Sequence, residues 1–482
     1  MRLPRIIQGG MGAAVSDWRL AKAVSLTGQL GVVSGTALDT VFARRLQAGD
    51  LGGHMRRALE AFPLREMAER IWERYFIDGG KPEDQPFRGV PLMSLVPSAP
   101  HLELIVAANF AEVFLAKEQH QGLVGINYLE KIQLPTLPSL FGAMLAGVNC
   151  VIMGAGIPRA IPGVLDQLAV GQAVELPIHV VDAAPGQKFV TRFDPAAFFG
   201  GDAPRLERPS FFGIVSSAPL ASMLARKSTG KVDGFILEGP TAGGHNAPPR
   251  GAMQLDERGE PIYGERDAVD FDALRAIGLP FWIAGSVASP AGLRESLAEG
   301  AVGIQVGTVF AFCEESGIAP DLKARVLERF FSDDAEAPVV RTDPLASPTG
   351  FPFKVLPLKG TMPTVEVVAN RTRLCDLGYL REAYLQSDGE LGYRCPAESV
   401  EQYVKKGGVA EKAQGRLCVC NGLIATIGLG QTRRDGYREL PLVTSGDAIE
   451  GIRQFLAPGA SSYSASDVVA GLFGLEIATA GT

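Results

Sequence analysis

The stretch FWIAGSVASPAGLRESLAEGAVGIQVGT, residues Phe281 to Thr308, decides the fold. It opens on a short apolar run, Phe281-Trp-Ile-Ala284, that stops at Gly285-Ser286. A segment from Pro290 to Glu299 comes next, with the length and composition of a compact helix led by proline. A second short run, Gly303-Ile-Gln-Val306, then stops at Gly307-Thr308. Strand, helix and strand with so little chain between them signal parallel strands joined by a crossover helix.

The same rhythm extends toward the N-terminus. Further expected strands are Arg5-Ile6-Ile7, Leu30-Gly-Val-Val33, Leu123-Val-Gly-Ile126, Asn149-Cys-Val-Ile-Met153, Phe212-Gly-Ile-Val215 and Gly234-Phe-Ile-Leu237. With the two above they make eight, and helices are expected from Pro219 to Arg226 and from Asp270 to Ile277. The class is therefore α/β, and the architecture a TIM (β/α)8 barrel with a helical insertion and an appended C-terminal mixed region.

Three segments fall outside the count. Residues 40 to 80 are charged and carry Met55, Leu59, Phe62 and Leu64 at near-helical spacing, which reads as a helical insertion. Pro91-Leu-Met-Ser-Leu-Val96 and Pro177-Ile-His-Val-Val181 read as extra strands, the second leading into a Pro/Gly-rich excursion through residue 209. After about residue 360 the alternation fades, and two late helices are expected with Ser445 and Ser466 as N-caps. The expected division is a barrel over 1–360, with insertions at about 40–120 and 182–209, and an extension over 361–482 bearing four cysteines.

Composition sets limits on function. The 482 residues are 46% hydrophobic and 21% charged, enough apolar material for a large core and unlike a disordered chain. A net charge of −7 without a Lys/Arg stripe speaks against nucleic acid as a partner. No signal-peptide pattern opens the sequence and no uninterrupted apolar run reaches membrane-spanning length, so no membrane association and a cytoplasmic location are expected.

In a parallel barrel the active site is built by the loops at the C-terminal ends of the strands, so the residues in those loops are informative. Gln8-Gly9-Gly10-Met11-Gly12 comes after the first strand, Asn127 ends the third, and Gly154-Ala155-Gly156 closes the fourth. Glu238-Gly-Pro-Thr-Ala-Gly243-Gly244-His245-Asn246 comes after the sixth, with Gly285-Ser286 and Gly307-Thr308 after the seventh and eighth. Any one such cluster is no more than a plain strand-to-helix turn requires. Together they form a rim where backbone can approach a flat ring, and successive N–H groups can cradle a phosphate. Flavin mononucleotide has that anatomy, with its phosphate expected at the loops after strands seven and eight.

Gln8-Gly-Gly-Met-Gly12, Ala242-Gly-Gly-His245, Ile283-Ala-Gly-Ser-Val287 and Gly303-Ile-Gln-Val-Gly-Thr308 together resemble, in order, the signature of the nitronate monooxygenase (2-nitropropane dioxygenase) family. That family also includes FMN-dependent enoyl-acyl-carrier-protein reductases. The likeness spans roughly residues 1 to 320; Thr241 stands where the family usually has glutamate, and Ser286 where it usually has a second glycine. The long insertions and extension resemble larger members that act in polyketide or polyunsaturated fatty-acid synthesis. The resemblance implies a flavin-dependent oxidoreductase with FMN held by Gln8, Gly9, Gly10, Met11, Asn127, Gly154, Gly243, Gly244, Gly285, Ser286, Gly307 and Thr308, and His245 as the catalytic acid or base.

Three functions stay open on this basis. One is oxidation of nitronates or nitroalkanes by dioxygen. Another is NAD(P)H-dependent reduction of an enoyl thioester, on a small-molecule or carrier-bound acyl substrate. The third is a flavin-binding partner without turnover in a biosynthetic assembly. The other histidines, His54, His101, His120 and His179, follow no strand end in a motif and read as structural. Asn127 is either a bond to the polar edge of the flavin or a turn-forming residue.

Cys375, Cys395, Cys418 and Cys420 fall in the last quarter of the chain and could converge on zinc or an iron–sulfur cluster. Such a cluster would pass electrons to FMN in place of a nicotinamide. Their spacing is not that of a zinc ribbon, and buried apolar cysteine is the alternative. Cys150 and Cys313 belong to barrel strands or their edges and read as core.

Overall fold

A computed structural model describes residues 3–331, 339–364, 371–457 and 459–475. Eight parallel strands form one sheet: β1 (Ile6–Gln8), β2 (Gly31–Ser34), β3 (Val124–Leu129), β4 (Cys150–Gly154), β5 (Ser210–Val215), β6 (Gly234–Glu238), β7 (Phe281–Ala284) and β8 (Gly303–Val306). Neighbours in sequence are neighbours in space, and β8 pairs back onto β1. Gln8 N–H donates to Leu30 O at 3.0 Å and Leu30 N–H to Ile6 O at 3.2 Å, which closes the ring between β1 and β2. Each of the eight expected strands is present, and the fold is a TIM barrel.

Strand side chains alternate between faces, so one set fills the lumen. Ile7, Val32, Cys150, Ile152, Phe212, Ile236, Trp282 and Ala284 form this inner cluster. The complementary set packs outward against the helices, as Ile126, Val151, Phe211, Phe235 and Phe281 do. The expected helices form at Ala218–Lys227, Phe271–Arg275 and Pro290–Ala298, capped by the side chains of Ser217, Asp270 and Ser289.

Residues 40 to 80 are helical as expected, in three pieces: Leu38–Gln47, His54–Ala61 and Arg65–Tyr75. A fourth helix of the insertion, Ala99–Lys117, is long and on average apolar enough to cross a membrane, although His101, Glu103, Asn109 and Glu112 interrupt its apolar residues, so no uninterrupted run is present there. It is mostly buried inside the protein, and Glu112 within it makes a buried ion pair with Arg45 at 2.9 Å. Residues 91 to 96 form no strand; apart from Met93 they are at least partly solvent-exposed and lack a pairing edge. The expectation at 177–181 is met by Val174–Ile178, paired antiparallel with Phe189–Phe193, and by Val180–Val181.

The C-terminal chain is folded back over the barrel. Its hairpin, Glu382–Leu385 with Leu391–Arg394, adds Val180–Val181 to make a three-stranded sheet that joins extension to excursion. The expected caps are displaced. Ser464, not Ser466, caps helix Ala465–Leu472 in a reciprocal box with Asp467. The turn of 3₁₀-helix at Ile449–Phe455 has no side-chain cap, and the Ser445 hydroxyl instead donates to Gly446 O at 3.1 Å.

Candidate active site

The glycine-bearing loops after the strands meet at the C-terminal rim around one cavity of about 230 Å³. All the residues expected to hold the cofactor, except one, line it: Gly9, Gly10, Met11, Asn127, Gly154, Gly243, Gly244, Gly285, Ser286, Gly307 and Thr308. The exception is Gln8. Alternation puts Ile7 in the lumen and turns Gln8 outward, where it is fully buried. Its amide is consumed there, donating to Ser16 Oγ at 2.9 Å and accepting from Val32 N–H at 3.0 Å, so Gln8 braces the β1 loop and does not face the cavity.

The glycines are needed at particular places. Gly285 has φ 100°, and a Cβ there would stand 2.8 Å from Thr241 Oγ1; Ser286 continues in the left-handed region at φ 55°. Successive residues in this conformation at the cavity wall are of the kind whose backbone N–H groups can cradle a phosphate. At Gly10 a Cβ would lie 2.4 Å from Asn127 Cβ, so the β1 loop can lie against the end of β3 only without a side chain.

His245 lines the cavity beside this rim. Its Nε2 is 2.7 Å from Ser347 Oγ, whose hydroxyl is in turn 2.9 Å from Thr349 Oγ1. Phe353 packs edge-on against the imidazole with ring centroids 4.8 Å apart, and the two residues share an antiparallel bridge. Removal from bulk water pushes the His245 pKa down to about 4, so the ring is neutral near pH 7. A neutral imidazole fixed at one nitrogen can accept a proton or donate a hydrogen bond.

Two polar side chains on the cavity floor escaped the sequence reading. Glu238, at the end of β6, faces the cavity, and burial pushes its carboxyl up to about 8. Gln305, in β8, lines it too, and its Oε1 is buried without a hydrogen-bond partner. Both sit inside strands rather than in loops, and only the inward phase of each strand could have marked them.

The outer wall comes from the extension. Tyr379, Leu380, Val419, Cys420 and Leu423 close over the cavity with Thr444, Ser445 and Gly446. Gly446 N–H donates to Thr308 Oγ1 and Gly244 N–H to Thr444 Oγ1, each at 2.9 Å, while Asp447 N–H donates to Thr241 O at 3.0 Å. The segment is thus stitched directly onto two of the glycine loops.

The late cysteines do gather. Cys375, Cys395, Cys418 and Cys420 line a single small cavity behind the wall. Among the described residues, however, no group of three or more His, Cys, Asp or Glu side chains is arranged to hold a metal ion. The pocket is apolar, lined also by Leu374, Leu377 and Leu380, and burial raises the Cys418 and Cys420 thiols, which disfavours the thiolates a metal needs. The ligand expectation is corrected to a cluster of free thiols packed among leucines, with Cys395 buried and the other three partly so.

An orphaned acceptor on the floor, left-handed glycine turns at one end and an apolar wall fit a flat heterocycle carrying a phosphate. Fold and site together define a TIM-barrel protein with a ligand cavity at its C-terminal rim. In sequence, a family model described as nitronate monooxygenase matches residues 204–336, which contain β5 to β8. A "Probable nitronate monooxygenase" of Bacillus subtilis (strain 168) is 35% identical over 97 residues, covering 20% of this chain and 26% of the relative. The alignment therefore spans about a quarter of the relative's length.

Among solved structures, FabK from Thermotoga maritima superposes with a TM-score of 0.45 at 15% identity, over 98% of this chain and 92% of that one. Nitroalkane oxidase from Streptomyces ansochromogenes gives 0.46 at 13% identity, over 98% and 94%.

Proposed function

We propose that this protein is an FMN-dependent oxidoreductase that acts on nitronates or nitroalkanes, with His245 as the group that handles the substrate proton. The observation that carries this reading is His245 at the cavity edge, neutral and held at Nε2 by Ser347. FMN supplies the redox chemistry when bound, taking electrons from the reductant and passing them to the acceptor. The chain's own part is orientation, exclusion of water and proton movement.

The Gly285-Ser286 turn and Gly307 would hold the phosphate, and Asn127 and Gln305 would meet polar atoms of the ring. His245, neutral at working pH, would take the α-proton of a nitroalkane on its free nitrogen or donate a hydrogen bond to a nitro oxygen. The Ser347 hydroxyl keeps the ring from rotating away. Apolar side chains of the wall keep water from the reacting carbon.

A second reading is favoured by one feature, the apolar wall of Leu380, Val419 and Leu423. A nitronate of a few carbons does not need it, whereas an acyl chain would bury against it. In that reading the protein reduces an enoyl thioester with NAD(P)H as donor, and a group near His245 supplies the α-proton.

The test is purified yellow protein given propionate 3-nitronate under air, and separately NADH with a crotonyl thioester. Oxygen uptake supports the first function, and enoyl-dependent loss of NADH the second. His245→Ala is expected to keep FMN and lose turnover by about a hundredfold or more, as for removal of a general acid or base. Full activity in that variant ends the assignment of His245, and neither reaction in the wild type leaves flavin binding without turnover.

A further inference from the structure

We infer that Cys375 and Cys395 form a reversible redox pair in the cap, with Cys375 taking oxygen from a hydroperoxide and Cys395 closing a disulfide onto it. The inference goes beyond the oxidoreductase reading above and does not depend on it, since neither thiol lines the ligand cavity.

The geometry comes from three remote segments. Cys375 lies in the loop that leads to Tyr379 and Leu380 of the cavity wall, Cys395 directly follows the hairpin strand Leu391–Arg394, and Cys418 and Cys420 stand at the start of the helix Val419–Thr426. All four are free thiols, and they meet around a cavity of about 10 Å³. Such a space admits about one water molecule, so the groups on its wall are close neighbours.

Position selects the pair. Cys418 and Cys420 are two residues apart at a helix start, where side chains do not face each other. The Cys418 sulfur accepts from Asn421 Nδ2 at 3.5 Å, and Cys420 also lines the ligand cavity. Cys375 is only partly buried and stands beside Leu374, which is 53% exposed, so a small oxidant in solvent can reach it. Cys395 is 6% exposed, and its backbone is fixed by N–H donation to Glu398 Oε1 at 3.1 Å. An accessible sulfur with a sheltered one behind it is the arrangement of an attacking and a resolving thiol.

The electrostatics agree. Cys395 draws the Cys375 thiol below its ordinary value, with the Arg381 guanidinium adding to the effect against burial, while Cys395 itself is pushed well up by Cys375 and by burial. Bonds from Arg381 to Gly378 O at 3.3 Å and Met93 O at 2.6 Å keep that charge in place.

In the first step the Cys375 thiolate attacks one peroxide oxygen; an S–O bond forms, the O–O bond breaks, and the leaving oxygen takes up a proton as water. The Cys395 sulfur then attacks the Cys375 sulfur; the S–S bond forms, the S–O bond breaks, and a second water leaves with the Cys395 proton. Two thiols are oxidised by two electrons in all, and the peroxide is reduced to two waters. A dithiol attacking the accessible Cys375 sulfur reverses the bond. Because Cys375 and Tyr379 share one short loop, the disulfide ties the wall of the ligand cavity to the hairpin.

The experiment treats the full, reduced chain with hydrogen peroxide and maps its cysteines by mass spectrometry under non-reducing conditions, with dimedone as the trap for sulfenic acid and thermal melts to verify folding. Wild type is expected to yield a Cys375–Cys395 cross-link that dithiothreitol removes. Cys395→Ser should raise the dimedone adduct at Cys375 about tenfold over wild type, and Cys375→Ser should slow peroxide consumption about tenfold. Amide hydrogen exchange over residues 376–381 should slow in the oxidised protein. Thiols that all stay reduced, cross-links spread over several pairs, or unchanged peroxide consumption in a folded Cys375→Ser protein overturns the pair. The wild-type map decides the pairing even if a variant unfolds. A cross-link that leaves exchange unchanged overturns its hold on the cavity wall. None of these readouts needs flavin, so failure of the flavin reading leaves the test standing.

Discussion

The rim of the barrel and the cap laid over it are built in different ways. In the rim, β6 to β8 and their loops approach one another through glycine and backbone: the turn at Gly285-Ser286 uses left-handed conformations and Gly9 N–H donates to Val306 O at 2.9 Å. The cap is held by buried charge. Arg371 grips Glu439 with two bonds of 2.7 and 2.8 Å, Arg433 reaches Asp376 at 2.7 Å, and the Tyr379 hydroxyl donates to Asp39 at 2.5 Å while His101 Nε2 lies 3.1 Å from the same carboxylate. A rim made of backbone leaves its floor free for a ligand, whereas a cap made of paired side chains fixes one closed arrangement. The lesson is that the cap belongs to the site: it supplies a wall to the cavity, while Ser347, in the segment leading from the barrel into the cap, holds His245.

The largest expected effect would break the cap alone. Glu439→Ala leaves the Arg371 guanidinium buried without its partner and should cost about 3–5 kcal/mol, read by denaturant unfolding. If it costs nothing, the ion pairs are not what holds the cap.

Ser347→Ala tests the coupling between the two regions. It removes the bond at His245 Nε2 and should lower turnover about tenfold with FMN affinity unchanged. Equal loss of both would mean that the contact serves only to fold the loop.

The pH dependence of stability should separate the floor from the rim. Glu238 has a folded pKa of about 8 against an ordinary 4.5, so the folded state holds the extra proton, and stability falls as pH rises from about 4.5 to 8. His245 is shifted the other way, from 6.5 to about 4, so stability falls as pH drops through that interval. Between about pH 4.5 and 6.5 the two slopes oppose and cancel, so melting temperatures of the flavin-free wild type should fall mainly from pH 6.5 to 8; Glu238→Gln should remove that fall and uncover the His245 slope below pH 6.5, and His245→Gln should extend the fall down to about pH 4.5. The smallest effect concerns the cysteines: a zinc or iron chelator should leave the melting temperature unmoved, and a marked drop would restore a metal to the cap.

Legibility in the chain divides along the same line. The eight strands, the short helices after β5 to β7 and the glycine turns come from signals only a few residues long: apolar runs, caps and residues that tolerate φ above zero. The likeness at Ala242-Gly-Gly-His245 marked the histidine because its loop is itself local. Gln8 shows where that reading stops. Its motif pointed to the cofactor, but strand phase sent the side chain to Ser16 and Val32.

The sequence by itself determined the order of strands and helices, the glycine-lined rim and the histidine that stands on it, because backbone conformation and side-chain alternation are set by near neighbours. Only the tertiary structure decided that Ser347 holds that histidine, that Tyr379 joins Asp39 from 340 positions away, that four cysteines share an apolar pocket, and that Glu238 and Gln305 line the same cavity. Those pairings bring distant segments together through burial, and burial between remote segments leaves no periodic trace in either of them.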